Sequence, residues 1–270
     1  MKSKAEIEKT VAELGTSQPW NHRFELPFGV VTSNAEQVSH GKNLVKWDRI
    51  NPILDEMGVA QNSVLDLGSN EGFFSFALAD RGCRVVGVDV DSKRIEKANY
   101  IKEILGYDNV NFENINVYSP DFERMERFDI VLCLGVVHRV PDPFRLLEAL
   151  SSKADILIIE WKALKFGDHD QPIAFFSPKS IDIEDFYGTE YWLVSFAALE
   201  RMLRRVGMDR FYRLDDPRQR RGIMVAGRIE NPIFLKPDQL MHRGRLRTAL
   251  SHLKRFVRIA KNIANGRLNA

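Results

Sequence analysis

The chain contains several short stretches whose residue types and spacing suit chemistry as well as packing. Asp66-Leu67-Gly68-Ser69-Asn70-Glu71-Gly72-Phe73 sets an acid ahead of two glycines four residues apart. Glycine has no Cβ, so a backbone turn built on Gly68 and Gly72 can come close to a ligand. Asp66, Ser69, Asn70 and Phe73 stand around that turn as candidate contacts. The spacing lacks the G-x-G-x-x-G of dinucleotide folds, which points to a ligand without a pyrophosphate, and the Asn70 amide suits an amino-acid moiety. Downstream, Val85-Val86-Gly87-Val88 runs into Asp89 and Val90. Asp89 is placed to accept hydrogen bonds from two ribose hydroxyls; the alternative is an acid that caps the following helix. Asn116 offers a side-chain carbonyl to an adenine amino group, with Val117 against the ring, or else is an ordinary turn asparagine.

A second group of residues follows Leu134-Gly135-Val136-Val137-His138-Arg139. Leu134 and Gly135 fall at the same ligand-binding rim, and His138 either orients or deprotonates a substrate hydroxyl or ties its loop together. Glu160 is open to three roles: base, substrate ligand or structural acceptor. Aromatic side chains at loop positions, namely Trp20, Trp47, Trp161, Tyr191 and Trp192, with His22 beside the first, are candidates for a substrate wall, although each taken singly is equally a packing residue. Cys83 and Cys133 are expected to be buried reduced thiols, and no metal site is expected.

These residues need a frame that brings their stretches together. Apolar runs at 64–67, 84–88, 110–115, 129–134 and 154–160 alternate with helical patterns at 72–80, 92–105 and 143–150, which predicts an α/β fold with a parallel sheet covered on both faces. In such sheets ligands bind beyond the carboxyl ends of the strands. Asp142-Pro143 reads as N-cap and first residue of its helix. Further helices are expected at 3–14, 43–57 and 195–206, and two apolar runs at 211–214 and 223–227 around a polar turn predict a hairpin that closes the sheet with an antiparallel edge. The aromatic stretch 20–29 is expected either to cover the site as a lid or to cap the sheet. Three regions follow: a helical cap and substrate lid at 1–59, a ligand-binding domain at 60–230 with a substrate-loop insertion at 161–193, and a C-terminal extension at 231–270.

Charge is distributed unevenly. Residues 241–270 hold eight Lys or Arg and no acid, which leaves 31 basic against 37 acidic residues before them. Attraction to an anionic partner is therefore localised to the extension and excluded as a property of the whole surface. There Leu246, Leu250, Leu253, Val257, Ala260 and Ala264 form one apolar helical stripe. It either docks on the body or on a second copy, giving a homodimer, or meets an acidic membrane surface or RNA. The polar start and the absence of a run near the ~18–20 apolar residues of a bilayer span make a cytoplasmic location the expectation.

Taken in order, the Asp66–Gly72 turn, the strand-end Asp89 and Phe128 to His138 running into Asp142-Pro143 resemble the class I S-adenosylmethionine-dependent methyltransferases over residues 60–228. The resemblance implies a Rossmann-like, seven-stranded, mostly parallel sheet with helices on both faces, and S-adenosylmethionine held by the residues above. A narrower resemblance, to the branch of the tRNA wobble-uridine carboxymethyltransferases and related sugar and natural-product methyltransferases, rests on four features. They are Trp20-x-His22 ahead of Pro27-Phe28-Gly29, Lys46-Trp47-Asp48-Arg49, Gly72-Phe73-Phe74-Ser75 after the glycine turn, and Tyr191-Trp192. Where the RNA enzymes carry Lys-Gly-Pro-Phe this chain has Glu25-Leu26-Pro27-Phe28, and a carboxylated donor wants a cation, so the plain donor is expected. The implied reaction is O-methylation of a small polar metabolite, sugar or glycan; the alternative is a tRNA wobble-uridine (carboxy)methyltransferase.

Overall fold

The structure, a computed structural model, describes residues 2–33, 38–164, 172–178, 190–214 and 221–228. The apolar stripe of the C-terminal extension and much of the 161–193 insertion lie outside them.

Seven strands form one sheet: β1 (Ser63–Leu67), β2 (Arg84–Asp89), β3 (Val110–Asn114), β4 (Phe128–Leu134), β5 (Ala154–Lys162), β8 (Arg210–Leu214) and β9 (Arg221–Gly227). Their order is β3-β2-β1-β4-β5-β9-β8. The first five pair in parallel, and β9 runs antiparallel to both β5 and β8. The expected Rossmann-like sheet with an antiparallel hairpin at one end is therefore what the chain forms. The central strands are apolar on both sides because both faces are covered. Along β4, Ile130 and Leu132 join one core cluster, while Val131 and Cys133 join the other. Burying each such aliphatic side chain is worth ~1.5–3 kcal/mol. Cys83 and Cys133 are free and buried, as expected.

The helices follow local signals. α4 (Ser92–Leu105) starts at Asp91, whose carboxylate accepts from the Lys93 N–H, and stops at Gly106 in the left-handed conformation. α6 (Pro143–Lys153) has Asp142 as N-cap and Pro143 at its first position. α7 (Phe196–Arg205) is capped by Ser195. α3 (Phe73–Ala79) is almost wholly buried and begins at Gly72, where φ is 87° and a Cβ would lie 2.6 Å from the Phe112 ring.

Some boundaries differ from the sequence patterns. α1 (Lys4–Ser17) continues past Gly15, and Gly15 serves packing, since a Cβ there would stand 3.1 Å from the Trp20 indole. α2 (Val38–Met57) begins earlier than its apolar periodicity suggests. A one-turn helix, α5 (Pro120–Arg124), follows β3. The insertion contains an antiparallel pair, β6 (Ala174–Pro178) with β7 (Glu190–Val194), where no strand was expected.

The aromatic stretch 20–29 is fastened over the end of the sheet by a buried carboxylate. Glu71, fully buried, accepts from the backbone N–H groups of Asn21 (2.9 Å) and His22 (2.7 Å). It also pairs with Lys97 at 3.5 Å and Arg94 at 3.8 Å. Lys97, equally buried, donates to the Gln18 and Pro19 carbonyls and lies over the Trp20 ring. Removing one partner of a buried ion pair leaves the other uncompensated, at a cost of about 3–5 kcal/mol. Glu71→Ala should therefore lose stability on that scale and release residues 18–24 from the body. Denaturant titration and limited proteolysis check this, and wild-type protease resistance before α2 would contradict it.

Candidate functional site

A cleft of about 1,410 Å³ opens at the carboxyl ends of the parallel strands, walled by the segment after α1 and by α2. This is where an open α/β sheet binds ligands. It is larger than the ~300–1,000 Å³ of a single-ligand pocket, so it has room for two small molecules. The sheet order gives it two ends. Asp89 terminates β2 and Glu160 lies on β5, three strand spacings away, or about 14 Å.

At the β1–β2 end, Gly68 has φ of 72° and its N–H donates to the Val88 carbonyl at 2.8 Å, as does that of Ser69 at 3.0 Å. A Cβ on Gly68 would approach Val136 Cγ2 to 2.8 Å. Both glycines of the turn are thus required by the protein's own packing, a reason that spacing alone did not expose. Asn70, itself at φ 53°, donates its N–H to Asp89 Oδ2 at 2.9 Å, and its side-chain oxygen accepts from Arg94 at 2.8 Å. Asp89 Oδ1 accepts from the Asp91 N–H. The helix cap is Asp91, so the capping role weighed for Asp89 belongs to its neighbour. Burial raises the Asp89 pKa, opposed by these two N–H bonds.

Asp66, 2% exposed, accepts from Ser75 Oγ at 2.6 Å; burial pushes its pKa up to about 6. Asp66, Gly68, Ser69, Asn70, Asp89 and Val90 all line the cleft. Ser69 Oγ is buried with no hydrogen-bond partner among the described residues. An orphaned hydroxyl and a strand-end carboxylate at one end of a cleft fit a ligand rich in hydroxyl and amino groups. Phe73 packs against His22 and Phe74, and Phe74 is the one that reaches the cleft. Asn116 and Val117 do not line it. Asn116 Oδ1 accepts from the Tyr118 N–H at 2.9 Å, closing a turn, and Val117 is 2% exposed in the core.

At the β4–β5 end, Leu134, Gly135 and Glu160 line the cleft. Glu160, fully buried, lies 3.4 Å from Lys46 Nζ and 3.3 Å from Arg221 Nη1. Desolvation lowers the Lys46 pKa, and Glu160 opposes that shift. His138 lies near the same cations but does not line the cleft. It is 1% exposed and outside the cleft lining; its Nδ1 accepts from the Lys162 N–H at 3.3 Å and its carbonyl from the Trp192 N–H at 3.1 Å. Burial, reinforced by Arg221 and Arg139, lowers its pKa to about 2. It ties the loop after β4 to the insertion.

The expected aromatic wall is largely core. Trp20 is 4% exposed and donates to the Val11 carbonyl; Trp161 is wholly buried, donates to Val194 and stacks edge-on with Phe196. Trp47 packs on Phe74. Trp192, half-buried, donates to the Pro141 carbonyl and meets Phe176, with Tyr191 preceding it on β7. Of this group, among the described side chains, His22 lines the cleft. Sequence reasoning missed Asn21, Lys46, Arg94, Arg139 and Arg221, all on the cleft. Lys46 belonged to a motif already singled out, and its i, i+4 spacing from Lys42 was the available signal.

Residues 59–165 match a family model described as a methyltransferase domain. The ubiquinone biosynthesis O-methyltransferase of Pseudomonas fluorescens strain Pf-5 is 34% identical over 101 residues, covering 37% of this chain and 43% of that protein. That of Psychrobacter arcticus is 33% identical over 95 residues, 35% and 37% of the two chains. The chain thus spans under half the length of these curated relatives. Among solved structures, the N-terminal domain of EvdMO1 with SAH bound superposes with a TM-score of 0.69 at 23% identity, covering 85% of this chain and 98% of that one. Magnesium protoporphyrin IX methyltransferase of Synechocystis PCC 6803, also with SAH, gives 0.53 at 21%, covering 73% and 89%. At those identities the superpositions establish the fold. The fold is thus the one these methyltransferase structures share, and within it residues 59–165 match a methyltransferase domain.

Two predictions follow from the buried groups. The folded pKa of Asp66 lies above its ordinary 3.8, so its contribution favours the fold below about pH 4 and is lost as pH rises through about 6. Asp66→Asn, which resembles the protonated form, should gain up to about 3 kcal/mol on the wild type at pH 7 and almost nothing at pH 4; urea titrations at both pH values would show a pH-independent difference if this is wrong. His138 should remain neutral from pH 5 to 8. An imidazole NMR titration within that window would refute its buried, neutral assignment.

Proposed function

We propose that this chain is an S-adenosylmethionine-dependent O-methyltransferase whose acceptor is a small hydroxyl-bearing metabolite or sugar. The observation that carries the reading is a single cleft joining the Ser69–Asn70–Asp89 end to Glu160 at the far strand. Two further findings support it. The relatives matched over the domain are named O-methyltransferases, and the EvdMO1 N-terminal domain was also solved in the presence of SAH and D-fucose, with a TM-score of 0.68 at 22% identity.

Asp89 and Ser69 would hold the donor's ribose and neighbouring polar groups, and Asn70 with Arg94 its amino-acid part. When bound, the donor supplies an electrophilic methyl on a positively charged sulfur, with a neutral thioether as the leaving group. The chain's own task is then mainly positioning and exclusion of water. The Glu71-fastened segment and α2 close over the cleft and limit solvent access. Glu160 Oε1 would accept the proton of the acceptor hydroxyl, whose oxygen would take the methyl while the methyl–sulfur electron pair stays with sulfur. Lys46 and Arg221 fix that carboxylate in place.

Calorimetry with S-adenosylhomocysteine (SAH) tests the donor site. Wild-type protein should bind it, and Asp89→Ala should weaken binding by about a hundredfold or more, consistent with losing charge-assisted hydrogen bonds to two hydroxyls. The variant's far-UV circular dichroism should remain native. Undiminished binding in a folded Asp89→Ala protein would falsify the assignment.

A further inference from the structure

The Glu160 end of the cleft carries more positive charge than holding one carboxylate requires. Lys46 on α2, Arg139 after β4 and Arg221 on β9 all line it, and Lys42 lies one helical turn before Lys46 on the same lining. Glu160 is the acid at this end; the other described acids on the cleft, Asp66, Asp89 and Asp91, belong to β1, β2 and the loop after β2. That one carboxylate is shared by Lys46 and Arg221, and Arg139 has no ion-pair partner among the described residues.

The same place has an unmet acceptor and open space. Glu160 Oε1 is buried and lies 3.3 Å from Arg221 Nη1, yet has no hydrogen bond among the described residues. Gly135, at φ 85°, faces the group: a Cβ there would stand 3.6 Å from Glu160 Oε2, 3.8 Å from Lys46 Nζ and 3.9 Å from Arg221 Nη1. All three are ordinary contact distances, so the main chain at Gly135 borders the group directly. Cations gathered in a partly desolvated cleft favour an anionic ligand, and guanidinium groups pair well with the oxygens of carboxylate and phosphate. A neutral hydroxyl compound would satisfy Glu160 Oε1 and make no use of the excess positive charge on this lining.

Building on the methyltransferase reading above, we propose that the acceptor is an anionic hydroxy compound. Its carboxylate or phosphate oxygens pair with Arg139, Lys46 and Arg221 while a neighbouring hydroxyl donates to Glu160 Oε1. This narrows the acceptor from polar metabolites in general to acidic ones such as a sugar acid or a sugar phosphate.

Calorimetric titration of the full chain saturated with SAH provides the test, using D-glucuronate and D-glucose 1-phosphate against D-glucose and D-fucose. The anionic sugars should bind about tenfold tighter or better than the neutral ones, with the advantage shrinking as salt is raised. The tighter of the two anions identifies carboxylate or phosphate as the recognised group. Arg139→Gln, at an exposed position where folding is not at stake, should remove most of that advantage and leave SAH affinity within about twofold. Equal binding of neutral and anionic sugars, or binding of neither, overturns the proposal. So does an Arg139→Gln variant that loses SAH affinity instead, because the cations would then serve the donor. Failure of the wild-type protein to bind SAH at all would bring down the methyltransferase reading, and this proposal with it, which separates the two failures.

Discussion

The buried carboxylate of Glu71 is the contact on which the cleft depends. It sits in the turn between β1 and α3, and two backbone N–H groups from the segment after α1 point at it. Burial raises its pKa, and those N–H bonds, then Lys97 and Arg94, oppose the shift. A carboxylate and an ammonium taken out of water together are expensive unless their remaining bonding capacity is met. Here the Gln18 and Pro19 carbonyls and the Trp20 ring meet that of Lys97. The consequence is geometric. A segment about fifty residues away in sequence becomes a wall of the cleft, and Asn21 and His22 come to face the same space as Asn70 and Asp89.

The cleft is electrically divided, and the division follows the strand order. Where β1 and β2 end, Asp66, Asp89 and Asp91 stand against Lys93 and Arg94; around Glu160, where β4, β5 and β9 meet α2, Lys42, Lys46, Arg139 and Arg221 stand against that one acid. β9 has a part in this because it runs antiparallel to β5, which sets Arg221 opposite Lys162, two residues beyond Glu160. That imbalance is the ground on which a donor at one end and an anionic acceptor at the other are proposed. It also separates the two candidate bases. Glu160 faces the cleft between two cations, whereas His138 faces the protein, where burial keeps it neutral and its ring nitrogen holds the Lys162 backbone. Two polar residues near the same rim thus have different surroundings, one open to the cleft and one packed inside.

Elements whose stability is local were legible in the sequence. α4 and α6 carry their own caps, Asp91 and Asp142, and the parallel strands announce themselves as continuous apolar runs because both faces are buried. The β6–β7 pair was not legible. Its aromatic and acidic residues lack the alternation of a half-buried strand, and its register is set by pairing across the insertion. The extent of α1 was hidden for a related reason: Gly15 is a poor helix residue alone, yet here it makes room for Trp20.

For the site, the sequence by itself determined the turn after β1, the acid at the end of β2 and the presence of Glu160 on a strand-end rim, because these lie within single β-α units whose geometry is local. It could not determine which side chains face the cleft. Trp20, Trp161 and Val117 were turned into the core, Asn116 was consumed by its own turn, and Lys46, Arg139 and Arg221 were gathered around Glu160 from a helix, a loop and an antiparallel strand. Those outcomes rest on contacts between residues tens to more than a hundred positions apart. Only the packed sheet, with β9 inserted beside β5 and α2 laid over the rim, brings them within reach of one another.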